Sequence, residues 1–70
     1  MVPLVFASDG EPQLIKRIGG NPETRQHLAD LGFNVGSEVT VLNSLNGNLI
    51  VKVKESRVAL DRVLAQKIMV

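Results

Sequence analysis

The chain has 70 residues, 44% of them hydrophobic, with eight Lys and Arg against seven Asp and Glu, a formal charge of +1, and no cysteine, tryptophan or tyrosine. That length fits one domain over residues 1–70 and one core. The composition excludes disorder, disulfides, thiolate zinc sites and a stacked aromatic platform, and the charge leaves no basic face for nucleic acid. No long apolar run follows a charged start, and Pro3 interrupts the early apolar stretch, so neither secretion nor membrane insertion is expected and the chain reads as cytoplasmic.

Taken in chain order, Val2 to Phe6 reads as a short strand or an arm packed on the next one. Glu11 to Ile18, with Leu14 and Ile18 as its apolar positions, reads as a first long strand ending at Gly19-Gly20. Asn21-Pro22-Glu23-Thr24 starts a helix of about ten residues: Asn21 caps it, Pro22 loses no bond at the first position, and Glu23 suits the positive end of the dipole. Leu28 and Leu31 fall on one face. Gly32 then sits where a left-handed residue closes the helix, and Phe33 after it can touch Leu28, as in a Schellman stop.

Asn34 to Gly36 make a turn. Val39 and Val41, then Leu49, Val51 and Val53, alternate with polar or outward residues, giving two antiparallel strands. A two-residue Asn46-Gly47 loop would set Val41 opposite Lys52 and mix the two faces. A three-residue loop, Leu45-Asn46-Gly47 with Gly47 left-handed, instead pairs Val41 with Val51 and Val39 with Val53. That register sets Leu42 opposite Ile50, on the face that carries Thr40 and Lys52. Ser56 to Leu60 adds a short strand with Val58 and Leu60 inward, Asp61 caps one helical turn through Arg62 to Gln66, and Ile68 to Val70 closes the sheet. Five or six short strands with one real helix are too small for a sandwich and fit a partly closed small barrel, mainly β.

The chemistry search returns little. His27 is the only histidine, and His27 with Glu23, or Gln26 with Asp30, reads as a solvated helix face rather than a metal site. Gly19-Gly20 before a helix resembles an anion loop, but no P-loop lysine follows and Pro22 removes a donor, so it reads as a plain turn. Ser8, Ser37, Ser44 and Ser56 have no base and orienting acid at any telling spacing, so the chain reads as a non-enzyme with no catalytic residue, metal ligand or cofactor. A proline-binding groove of SH3 type needs Tyr and Trp, which are missing. What is left over is apolar: Leu42 and Ile50, read as covered by the curl of the strands, and Leu45, read as exposed in the loop. Leu45 is either a partner contact or a lid folded over the barrel end.

The run Arg25-Gln-His-Leu28-Ala-Asp-Leu31-Gly32-Phe33-Asn-Val-Gly36-Ser-Glu-Val39-Thr-Val41, followed by Leu45-Asn-Gly-Asn48, Val51-Lys-Val53, Arg57-Val-Ala-Leu60 and Ala65-Gln-Lys-Ile68-Met-Val70, resembles the FeoA family from about Pro3 to Val70. The resemblance implies an SH3-like barrel and a small cytoplasmic accessory protein of ferrous iron uptake. Its implied partner is the FeoB permease, through the cytoplasmic G-protein domain. The same domain ends iron-dependent repressors of the DtxR type, which gives an alternative reading as a regulatory module. No winged helix precedes it here, which favours the free-standing accessory. The family is often described as binding transition metals, and it brings no catalytic residues. The partner surface expected on this reading is the hairpin tip, Leu45 with Asn46 and Asn48, supported by Leu42 and Ile50. Without such a partner the chain falls back to a weakly self-associating or regulator-linked module.

Overall fold

The computed structural model describes residues 1–70 and is mainly β. After a 3-10 turn at Leu4–Phe6 come β1 (Pro12–Leu14), β2 (Arg17–Ile18), α1 (Pro22–Asp30), β3 (Glu38–Leu45), β4 (Asn48–Val53), β5 (Ser56–Leu60), α2 (Arg62–Ala65) and β6 (Ile68–Met69). Two antiparallel sheets result, one of four strands in the order β1-β3-β4-β5 and one pairing β2 with β6.

The expected long strand over Glu11–Ile18 is two short ones in different sheets. The chain turns a corner at Ile15 and Lys16: the Ile15 N–H donates to the Ser37 carbonyl at 2.9 Å and the Lys16 N–H to that of Met69 at 2.8 Å. The corner also changes which residue points inward. Leu14 is 54% exposed, while Ile15 is 1% exposed and joins the core. The first residues are the packed arm rather than a strand: Leu4 is fully buried, Pro3 bridges Met69, and Val2 and Val70 exchange two backbone bonds of 2.8 Å.

Helix α1 begins as its sequence dictates, with Asn21 Oδ1 accepting from the Thr24 N–H at 2.8 Å and Pro22 at the first position. It stops in a complete Schellman arrangement, in which the Phe33 N–H donates to the Leu28 carbonyl (2.9 Å) and the Gly32 N–H to that of Ala29 (3.0 Å). Gly32 has φ +106°. Leu28 and Phe33 are both fully buried, and Leu31 is half-buried against the same core. The next turn closes with the Ser37 N–H donating to the Asn34 carbonyl at 3.0 Å and Gly36 at φ +92°.

The β3–β4 hairpin keeps the expected register at its base, Val39 with Val53 and Val41 with Val51, but not the expected loop. Leu45 pairs with Asn48, so the loop is the two-residue one, with Asn46 at φ 55° and Gly47 at φ +86°. Both left-handed values give a turn whose twist matches that of the strands. The extra residue is accommodated in a β-bulge between Val41 and Asn43, which leaves Leu42 unpaired and sets Asn43, not Leu42, opposite Ile50. A tight turn at Lys54-Glu55, with Lys54 at φ 55°, leads into β5 and pairs Val53 with Ser56.

Asp61 caps α2 by accepting from the Leu64 N–H at 2.8 Å. The inward residues of β3, β4 and β5 meet Leu4, Ile15, Leu28, Phe33, Ala65 and Ile68 in a single core of 13 buried residues, none polar or charged. Val58 packs at its margin. No helix is long and apolar enough to cross a membrane.

Candidate functional site

The outer face of the four-stranded sheet carries no second layer. Cross-strand pairing arranges its side chains in rows: Thr40, Lys52 and Arg57 across β3, β4 and β5, then Asn43, Ile50 and Ala59 toward the hairpin tip. Because the face is open, Leu42 is 39% and Ile50 41% exposed. This overturns the expectation that the curl of so small a barrel covers them. Leu45 is 72% exposed, which meets the expectation of exposure and removes the lid reading. Leu45, Ile50 and Ala59, with Asn43, Ser44 and Asn48, line a shallow groove of about 400 Å³. A second, polar hollow of about 460 Å³ runs along Glu38, Thr40, Lys52 and Lys54.

The tip is held in place by α2. Arg62 Nη2 donates to the Asn46 carbonyl at 2.8 Å, and the Arg62 N–H donates to Asn48 Oδ1 at 3.1 Å. The guanidinium lies over the turn, so that a Cβ added at Gly47 runs into Arg62 Nε. Two of the residues expected at the partner surface therefore have local work as well: Asn46 offers its carbonyl and Asn48 its side chain to one arginine. Arg62 itself escapes a reading of the strands, because nothing in the sequence ties a residue of α2 to a turn 16 positions earlier. Lys52 opposite Arg57 is missed for a simpler reason. Their register follows at once if Lys54-Glu55 is seen as a two-residue turn, and neither residue type advertises it.

Elsewhere the titratable and nucleophilic side chains are dispersed. His27 and Glu23 lie exposed on α1, and Gln26 Nε2 donates to Asp30 Oδ1 at 2.9 Å. No three residues among His, Cys, Asp and Glu are grouped so as to hold a metal ion. Gly19-Gly20 is a strand-to-helix turn in which the Gly19 N–H donates to the Lys67 carbonyl at 2.7 Å.

The family model described as the FeoA domain matches residues 2–70. A relative from Methanocaldococcus jannaschii, which carries the provisional name Fe(2+) transport protein A, is 41% identical over 70 residues, covering 100% of this chain and 85% of its own. Among solved structures, one named as an iron uptake regulatory protein (FeoA) superposes with a TM-score of 0.86 at 31% identity, covering 96% of this chain and 89% of that one. The zinc-complexed FeoA of Stenotrophomonas maltophilia, described as a procaryotic SH3 domain protein, gives 0.80 at 22% identity over 94% and 85% and shares the fold. A manganese-dependent transcriptional repressor gives 0.82 at 26% identity, covering 94% of this chain but 38% of the repressor.

Proposed function

Because the chain belongs to the FeoA family of ferrous iron transport proteins, we propose that it is a cytoplasmic accessory that acts by binding the G-protein domain of a FeoB-type permease through its hairpin tip. The observation that carries this reading is the apolar side chain of Leu45 standing 72% exposed at the end of β3, beside a turn that Arg62 clamps. A leucine there contributes little to the core, whereas a pre-positioned apolar side chain beside a groove can fill a pocket on a partner. Leu42 and Ile50 extend the apolar surface, and Asn46 and Asn48 form its polar rim. With its titratable groups dispersed, the chain works by contact rather than by turnover.

The test is Leu45→Asp, read by thermal melting and by co-purification with the recombinant G-protein domain. A melting midpoint within a few degrees of wild type together with lost binding is the expected result. Wild-type protein that never captures the domain defeats the proposal. A second reading, a regulatory module like the corresponding part of the metal-dependent repressors, is favoured by the superposition on 38% of such a repressor. It predicts capture of a DNA-binding protein in place of the permease domain. The Methanocaldococcus jannaschii relative, matched over 85% of its length, supports the accessory reading.

A further inference from the structure

On the outer sheet face, Lys52 and Arg57 are direct cross-strand partners. Like charges so placed repel, and each such pair weakens the sheet unless something anionic lies between them. Nothing in the chain does so. Both side chains are exposed, and neither takes part in any side-chain hydrogen bond of the structure. The nearest row on the tip side is uncharged, with Ile50 opposite Ala59, and it leads into the groove at Leu45, whose one carboxylate, Asp61, is engaged in capping α2 through the Leu64 N–H. Lys54 adds a third cation on the other side, where Glu38 is the one carboxylate lining the same hollow; Glu55 lies in the turn beside it. Along the strands the face therefore passes from apolar to cationic. β5 lies at the edge of the sheet, so this surface is open from the side as well as from above.

We propose that this face takes an acidic segment of the partner, with an apolar side chain seated in the Leu45, Ile50 and Ala59 groove and a carboxylate between Lys52 and Arg57. The occupant is set by charge complementarity: an anion relieves a repulsion that the free protein carries, and a neutral or basic segment does not. The inference rests on the preceding reading for the identity of the partner and adds the chemistry by which that partner is chosen.

The experiment has two arms. In the first, isotope-labelled protein is titrated with a short capped peptide carrying leucine and glutamate two positions apart, so that both fall on one face of an extended chain, and with the same peptide carrying glutamine for glutamate. The amide resonances of Ile50, Lys52, Arg57 and Ala59 are expected to move with the glutamate peptide. Affinity is expected to fall at least about tenfold for the glutamine peptide and for the Lys52→Glu, Arg57→Glu double variant, with wild-type binding weakening as salt is raised. Equal affinity for the two peptides, no response at millimolar glutamate peptide, or shifts confined to another face overturns the inference. The double variant again sets like charges opposite each other and should melt near the wild-type midpoint, whereas Lys52→Glu alone turns the repulsive pair into an attractive one and should melt at or above it; both midpoints are read beside the affinities.

The second arm uses the permease G-protein domain. Binding that Leu45→Asp abolishes and the double charge variant leaves intact keeps the functional reading and sinks this one. A domain that the wild-type chain does not bind sinks the functional reading, and the peptide arm still decides the chemistry of the face.

Discussion

Single residues that stop or turn the chain are the most legible part of this sequence, because their chemistry is local. Asn21, Pro22 and Asp61 act within three positions of themselves, and the bonds they make are the ones their types suggest. Gly32 and Gly47 show how two glycines can matter for different reasons. At Gly32 an added Cβ meets only ordinary contacts, 3.7 Å from Val53 and 3.8 Å from Lys54, so the cost of a side chain there comes from the backbone at φ +106°. Gly32→Val should therefore lower stability by more than about 1 kcal/mol, and a chemical melt with an unchanged midpoint would refute it. At Gly47 the strain at φ +86° is joined by a collision with Arg62. Gly47→Ala should accordingly cost more in the wild type than in an Arg62→Ala background, by an excess measurable in a double-mutant cycle. Leu28 is legible on other grounds: it is the one fully buried residue of α1. Leu28→Gln, which puts an unpaired amide among aliphatic side chains, should abolish cooperative melting or cost several kcal/mol, of the order of 3.

At the scale of elements, the pattern of alternation is a strong signal and the position of an irregularity is a weak one. The valines of β3 and β4 require one extra residue on the β3 side of the hairpin, and the sequence says so plainly. It does not say whether that residue sits in the loop or in the strand. A longer loop is the simpler reading; the structure instead keeps the favoured Asn46-Gly47 turn and bulges at Leu42, satisfying both demands together. The misreading of Glu11–Ile18 has a similar origin, since Leu14-Ile15 is an apolar doublet and either member fits a strand until the corner is known. Legibility of the candidate site follows the same division. The exposure of Leu45 is legible from its place next to a polar turn, while that of Leu42 and Ile50 depends on whether any layer covers the sheet. The clamp by Arg62 belongs to this scale too, because it joins α2 to the hairpin. Arg62→Ala removes one hydrogen bond to the Asn46 carbonyl. It should cost about 1 kcal/mol, and amide exchange at Gly47 and Asn48 should quicken more than at Val51 or Val53. Uniform exchange along β4 would mean that the arginine does not hold the tip.

At the scale of the molecule, closure depends on the two ends of the chain meeting. The sheet of β2 and β6 has only two strands, and it is joined to the rest by the Ile15 corner on one side and by the Val2 to Val70 backbone bonds on the other. Ile68 is fully buried and Val70 is 5% exposed, so the last residues supply core as well as pairing. Burying an aliphatic side chain is worth roughly 1.5–3 kcal/mol, which puts about 4 kcal/mol on these two alone. Domains as a class have only about 5–15 kcal/mol in total, and one this short has few other reserves. Removing Ile68 to Val70 should therefore convert a cooperative thermal transition into a broad one or none, with lost dispersion of amide resonances. Removing Met1, which is exposed and outside the paired residues, should leave the midpoint where it was. The contrast separates closure from mere chain length: if the C-terminal truncation melts cooperatively within a few degrees of the full chain, the four-stranded sheet folds without its second layer, and the hairpin tip owes its position to Arg62 rather than to the closed barrel.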